Sequence, residues 1–475
     1  MLHIGRNIIS LLISRVAAAV VLFLVYTRLA QYLGPEAAGQ YGLLAGILSI
    51  FSLFVDLGMS QLVIKKISED REHSSKYLSN YFIVQFILAF IFGLIMAGFV
   101  FLNDYPQEVK NALYIASIAL FLSSLSLPFK SIINAFQKLT IIAKVNFANS
   151  MINAGMMVLA IVFTQGIFFL AFIGILISFV DLVVYGFVTN KYYAKFRLEV
   201  DWAFVRQLFI WTWPFTLLTF FSIYNRIDTI MLPHFRGFEE TGYYSVAYKF
   251  WDVLAFLPAV VGISLYPYFA ERLSVGAKQD ARKIIETYTR YMIALAVPIS
   301  VGAFMVSGDI VQTFYGAEFL PASTALWLLI AAVSVLLVYS PVNSLILSQQ
   351  TKAATWITGF TLLFNFTTNI IFIPKYGFIA AAATTLASEL IQAIGYTYIV
   401  RNRVVDYRIF GNFIKPILAT TLMAISLLWL QPRLEIWISI SIAVVVYALA
   451  LYIFKFFQTE DRDLFIASVS FRKNV

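Results

Sequence analysis

The sequence predicts an all-α integral membrane protein of about fourteen transmembrane helices, drawn as two six-helix lobes followed by two further helices. Three observations carry that expectation. Of the 475 residues, 61% are hydrophobic and only 12% charged, far from the roughly one-quarter charged mixture of soluble domains. The apolar residues fall into runs near the roughly 20 residues that cross a hydrocarbon core about 30 Å thick. Finally, the landmarks between the runs recur halfway along the chain.

The runs begin near Ile8, Gln40, Asn80, Ala112, Val145, Gly166, Leu208, Gly242, Tyr291, Thr324, Trp356, Phe378, Pro416 and Ile436. The first, about Ile8 to Thr27, is longer than a signal-peptide core, and the polar stretch Arg28 to Glu36 offers no clear cleavage pattern, so it is expected to stay as the first helix. Turn and charge signals separate the runs at Leu33-Gly34-Pro35-Glu36, Asn103-Asp104-Tyr105-Pro106, Ile373-Pro374-Lys375-Tyr376-Gly377 and Gln431-Pro432-Arg433.

Orientation follows from the basic residues. With the N-terminus in the cytoplasm, 26 of the 34 Lys and Arg fall on that side, six (Arg28, Lys110, Arg226, Arg236, Lys375, Arg433) on the other, and two within spans. Such asymmetry in short loops is the positive-inside pattern, and it puts both termini in the cytoplasm of a multi-pass inner (cytoplasmic) membrane protein. The net charge of +9 is thereby a topology signal. It sits in short tracts rather than on one face, so no nucleic-acid partner is expected.

The repeat is specific in places. Gly34-Pro35-Glu36-Ala37-Ala38-Gly39-Gln40-Tyr41 matches Gly237-Phe238-Glu239-Glu240-Thr241-Gly242-Tyr243-Tyr244 at an offset of 203; Pro128, Ser131 and Gln137 match Pro341, Ser344 and Gln350 at 213. The landmarks return after six spans, an even number, so the halves share one orientation and are expected to be related by an axis along the membrane normal. The domains drawn are 1–200, 201–405 and 406–475. No loop exceeds about 25 residues, too few to fold alone, so function has to reside within or between the helices.

Several chemistries close. The chain has no cysteine, hence no thiolate metal site, disulfide or cysteine nucleophile. His3, His73 and His234 lack ligand spacing, so no metal is expected. Gly276-Ala277-Lys278 lacks the first glycine and the hydroxyl residue of a phosphate loop. No cofactor is expected, and transport would be coupled to H+ or Na+ or driven by the substrate gradient.

The informative residues are the ionisable ones inside spans: Arg15, Asp56, Asp181, Lys249, Asp252 and Glu389. Each charge at the bilayer centre costs about 2.5–3.5 kcal/mol on insertion scales. Six facing lipid would cost roughly 15–20 kcal/mol on that scale, so most must meet a partner or a wet cavity. Arg15 and Asp56 fall about 11–13 Å above the same membrane edge, either as a structural pair or with Arg15 free for a phosphate. Lys249 and Asp252, three apart, can neutralise each other, or Lys249 can be a cavity cation. Arg28 and Arg226 sit near the outer mouth. Asp181 and Glu389, in corresponding helices of the two halves, are candidates for ion coupling or for polar helix packing. Trp211, Trp213, Tyr243, Tyr244, Tyr248 and Trp251 cluster around the seventh and eighth helices as belt, core or sugar-stacking walls.

Three stretches together suggest a family: Thr27-Arg28-Leu29 through Leu33-Gly34-Pro35-Glu36 to Val55-Asp56-Leu57-Gly58; Arg226-Ile227-Asp228 through Gly242-Tyr243-Tyr244 to Ala247-Tyr248-Lys249; and Ile373-Pro374-Lys375-Tyr376-Gly377 followed by Ala380 to Ala383. In their order and spacing the chain resembles the polysaccharide flippases of the multidrug, oligosaccharidyl-lipid and polysaccharide exporter superfamily, over nearly its whole length. The resemblance implies a V of two lobes with alternating access and a polyprenyl-pyrophosphate-linked oligosaccharide as cargo for surface polysaccharides such as O-antigen. It also implies membrane lipids and a polysaccharide polymerase as partners. An ion-coupled drug or small-molecule exporter of the same superfamily and a membrane-embedded polysaccharide polymerase remain alternatives; by the resemblance the extra two helices weigh against the first, and the short loops weigh against the second.

Overall fold

The computed structural model describes residues 2–221, 226–409, 411 and 413–458; within these, the side chains of 2–17, 214, 217–219, 221, 263, 264 and 351 lie outside the description. The described residues form helices and connecting turns with no strand. Two compact units, Met1–Ser245 and Val246–Val475, divide the chain.

In the first unit α1 (Leu2–Asp56) folds at Gly34, whose φ of 76° is accessible because glycine has no Cβ, and Pro35 opens the second arm. Then α2 (Met59–Glu69), α3 (Ser74–Leu102), α4 (Gln107–Ala135), α5 (Leu139–Val162), α6 (Ile167–Tyr192) and α7 (Trp202–Phe221) follow. The first arm of α8 (Asp228–Leu254) ends at Gly237, φ 84°, the residue equivalent to Gly34 in the repeat. Met59, Ile67, Tyr81, Ile132, Tyr185 and Leu208 form one apolar core, and Leu43, Ile47, Val55, Ala89 and Ala116 another.

The second unit holds the end of α8, then α9 (Phe256–Ser274), α10 (Lys278–Tyr315), α11 (Ala322–Gln349), α12 (Thr351–Arg403), α13 (Ile414–Leu430) and α14 (Ile436–Ile453). α12 folds at Gly377, just after Pro374. Phe269, Ile285, Leu345, Ile346 and Val400 form its main core, and α13 and α14 pack on α10 through Ala294, Val306, Ala419, Met423 and Ala443.

Among the described residues, ten stretches are long and apolar enough to cross a membrane. Counting the arms on either side of Gly34 and Gly377 separately brings these to twelve, and the shorter apolar α13 adds a thirteenth, close to the fourteen expected. The breaks near Gly34 and Gly377 fall where the sequence puts them. The folds there keep the helical hydrogen bonding almost continuous, so the arms meet at a sharp corner rather than across a loop.

One interruption was not expected. Between α1 and α2, Leu57 and Gly58 take φ 52° and 77°, breaking a helix within an apolar stretch. Backbone groups freed there need partners, because lipid offers none. Thr216 Oγ1 donates to the Leu57 carbonyl at 2.7 Å, Gln85 Nε2 to the Val55 carbonyl at 3.3 Å, and Ser60 N–H to Asp56 Oδ1 at 3.1 Å.

The segment joining α6 to α7 is extended and strapped along the start of α3. The N–H groups of Lys195, Arg197 and Asp201 donate to Ser75 Oγ, Ser79 Oγ and Asn80 Oδ1 at 3.0, 3.1 and 2.8 Å. Asp201 accepts the Phe204 N–H at 3.0 Å as the cap of α7 and pairs with Lys76 at 2.8 Å. The hydrogen bond from Lys76, and then that from Phe204, hold its carboxyl below the ordinary value.

Candidate functional site

Asp56 closes the break in the second crossing. Its carboxylate accepts Ser60 N–H, Ser60 Oγ at 2.7 Å and the buried Tyr81 hydroxyl at 2.8 Å. An acidic residue at the N-terminus of α2 also complements the helix dipole. The Arg15 side chain, proposed from the sequence as its partner, lies outside the described residues.

A second polar group joins α4, α5 and α6. Asn149 Nδ2 donates to Asp181 Oδ1 at 2.6 Å, and Tyr185 donates to Asn146 Oδ1 at 3.3 Å. Lys130 lies 5.6 Å from the Tyr185 ring centre. Asn149 is buried, and its Oδ1 has no hydrogen-bond partner. Lys130 was missed by the sequence reading because it lies only five residues from the end of α4, where a lysine passes for an interfacial one.

A third group lies in the second unit. Glu389, 1% exposed, accepts the Tyr339 hydroxyl at 2.7 Å, linking the second arm of α12 to α11. Beside it, Asn365 Nδ2 donates to Ser388 Oγ at 3.0 Å and Asn369 Nδ2 to Asn365 Oδ1 at 3.0 Å, while Thr358 and Tyr396 bond at 2.7 Å. This row of polar side chains, buried apart from the half-buried Thr358, runs along both arms of α12. Its spacing in the sequence, Thr358-Thr361-Asn365-Asn369 against Thr385-Ser388-Glu389-Gln392, is a helical polar stripe that could have been found by periodicity.

The remaining sequence-derived residues are dispersed. Arg28 is exposed and donates to Gln31 Oε1 at 3.0 Å. Arg226 is half-buried beside Asp228, which is buried and accepts hydrogen bonds from the Tyr244 hydroxyl and from Thr229 N–H. Lys249 is half-buried and Asp252 exposed. Of the aromatic cluster, Tyr243, Tyr244, Tyr248 and Trp251 are buried, whereas Trp213 is 61% exposed.

A cleft of about 340 Å³ opens between α10, α13 and α14. Its walls include Pro298, Ile299, Val306, Met423, Leu427 and Val444, a surface suited to a hydrocarbon and not to a sugar or a phosphate.

The fold has known counterparts. The chain superposes on the lipid II flippase MurJ in an inward-closed conformation with a TM-score of 0.79 at 18% identity, covering 96% of this chain and all of that one. A eukaryotic transporter of the multidrug and toxic-compound extrusion class, AtDTX14, matches at 0.54 and 14% identity over 88% and 99%. In sequence, a probable low-salt glycan biosynthesis flippase of Haloferax volcanii is 22% identical over 407 residues, 83% of this chain and 82% of that one. An uncharacterized membrane protein of Methanocaldococcus jannaschii is 24% identical over 421 residues, 81% of each. These relatives are described as flippases, transporters or membrane proteins, in keeping with the expectation of a transporter and not an enzyme. The MatE family model matches residues 215–371, and the model of the polysaccharide biosynthesis protein family matches residues 4–273, more than half of the chain. The chain is a member of the polysaccharide biosynthesis protein family.

Proposed function

We propose that this protein flips a polyprenyl-pyrophosphate-linked oligosaccharide from the cytoplasmic to the outer leaflet of the inner membrane, by alternating access and with both termini in the cytoplasm. The observation that carries the reading is the pairing of opposite chemistries in one chain. An apolar cleft between α10, α13 and α14 suits an isoprenoid tail, while the crossings carry ionisable groups such as the half-buried Lys249 and the buried Glu389, which hydrocarbon does not favour. The flippase named in Haloferax volcanii, alike over four-fifths of its length, supports it.

In this reading Lys249 and Arg15, with Arg226 and Arg28 towards the outer mouth, meet the pyrophosphate, whose charge needs fixed cations in a low dielectric. Asp181 and Glu389 couple the cycle to H+ or Na+; one charge crossing 100 mV is worth about 2.3 kcal/mol. Asp56 and Asp252 serve as local charge partners. A polymerase acting on the delivered glycan is the expected neighbour.

The match of residues 215–371 to the MatE model favours a second reading, an ion-coupled exporter of small organic cations. Depleting the protein in its host separates the two. The flippase reading expects a lipid-linked oligosaccharide to accumulate on the cytoplasmic leaflet; unchanged lipid-linked sugars with increased drug sensitivity would overturn it.

A further inference from the structure

The two copies of the repeat at offset 203 touch each other, within the first unit. An added Cβ on Gly39 would stand 1.8 Å from the Phe238 carbonyl oxygen, and one on Gly242 would stand 1.9 Å from the Pro35 carbonyl oxygen. Gly242 is the repeat equivalent of Gly39, and Phe238 that of Pro35. Each glycine therefore presses on the carbonyl equivalent to the one that presses on its partner. One turn further, a Cβ on Gly42 would lie 2.0 Å from Oγ of Ser245, again its equivalent at 203.

Reciprocal contact between equivalent residues is the signature of a two-fold relation, so a local two-fold runs along this seam. With a Cα–Cβ bond of about 1.5 Å, each glycine Cα sits no more than about 3.4 Å from the opposing oxygen, the range of a Cα–H···O contact. Any side chain at either position would hold the backbones apart. Each arm starts at a corner, Gly34 or Gly237, that separates it from the helix before it.

We infer that the Gly39–Gly242 seam is the closed outer gate of the transport path and that these glycines set how tightly it shuts. The inference rests on the flippase reading and on its orientation, which puts residues 34–46 and 237–245 at the outer face. A path along the axis relating the repeats must part the seam, and contacts of this kind, each worth about half an N–H···O hydrogen bond, can part and reform without stranding a charge.

Because the chain has no cysteine, introduced thiols report cleanly. In a Ser245→Cys background, Gly39→Ala or Gly242→Ala is expected to raise external labelling by an impermeant maleimide about tenfold, as the open state rises from a minor population. Gly93→Ala, whose added Cβ meets nothing within 4 Å, is expected to leave it unchanged. Parental labelling in both seam variants, with normal gel-filtration profiles, would overturn the gate.

The second test covers variants that fail to fold. Gly42→Cys with Ser245→Cys puts two Cβ positions 3.0 Å apart, slightly closer than a disulfide's usual 3.5–4.5 Å, so a small separation lets the bond form. Oxidation is expected to stop flipping in proteoliposomes, and reductant to restore it. Flipping by the cross-linked protein at the reduced rate would show that the seam never parts. Labelling is independent of cargo: a seam that loosens in the alanine variants while no lipid-linked glycan moves would refute the flippase reading and leave the gate standing.

Discussion

Tyr339 donates its hydroxyl to Glu389 across 2.7 Å, joining α11 to the second arm of α12 in a region where Glu389 is 1% exposed. A buried carboxyl held by a neutral donor can be there for packing or for carrying a proton, and two substitutions separate the roles. Glu389→Gln keeps an acceptor for Tyr339 and is expected to leave thermal stability unchanged while abolishing the pH dependence of transport. Glu389→Leu strands the Tyr339 hydroxyl and is expected to cost about 1–3 kcal/mol in stability. A Gln variant with the parental pH profile would reduce Glu389 to a packing residue.

Asp56 closes the break before α2 through Ser60 and also accepts from Tyr81. Asp56→Ala is expected to lower stability by about 2–5 kcal/mol, the sum of a lost cap and an unsatisfied hydroxyl. Asp56→Asn, which keeps an oxygen acceptor, is expected to lose less than half of that. Thermal unfolding in detergent measures both; equal losses would mean that the negative charge itself is needed.

The cleft at α10, α13 and α14 has room beside Gly302, where an added Cβ would meet only Met423 Cε, at 3.9 Å. Gly302→Leu is expected to fill it without loss of stability and to slow flipping of long-chain polyprenyl cargo about tenfold, a change of about 1.4 kcal/mol. Short-chain analogues are expected to move at the parental rate. Equal slowing of both would place the tail elsewhere.

The strap from Lys195 to Asp201 gives a prediction in pH. The Asp201 carboxyl is held below its ordinary value by Lys76, so the contact is fully present above the unfolded value of about 3.9 and is lost as pH falls through the lower, folded value. Amide exchange of residues 195–201, corrected for intrinsic rates, is expected to be flat from pH 7 to 5 and to rise only below about pH 4. Asn80→Ala is expected to speed exchange at Asp201 at neutral pH.

The crossings were legible because lipid demands runs of about 20 apolar residues, and the corners at Gly34 and Gly377 because glycine and proline punctuate helices. Leu57 and Gly58 hid their break, since the groups that repair it, Thr216 and Gln85, come from helices far along the chain. Lys130 passed for an interfacial lysine near the end of α4, and although the polar stripe on each arm of α12 is legible as a helical period, the sequence does not show that Asn365 and Ser388 meet across the corner at Gly377. The repeat at 203 was plain, but that its two copies touch each other is a fact of three-dimensional placement alone.

The most direct test of the flippase reading is reconstitution. In proteoliposomes holding a polyprenyl-pyrophosphate-linked oligosaccharide, the purified protein is expected to make the glycan on the far leaflet accessible to an added glycan-cleaving enzyme, and Lys249→Ala to slow that exposure at unchanged protein content. Glycan exposure no faster than in protein-free vesicles, from protein shown to be folded and inserted, would contradict the account.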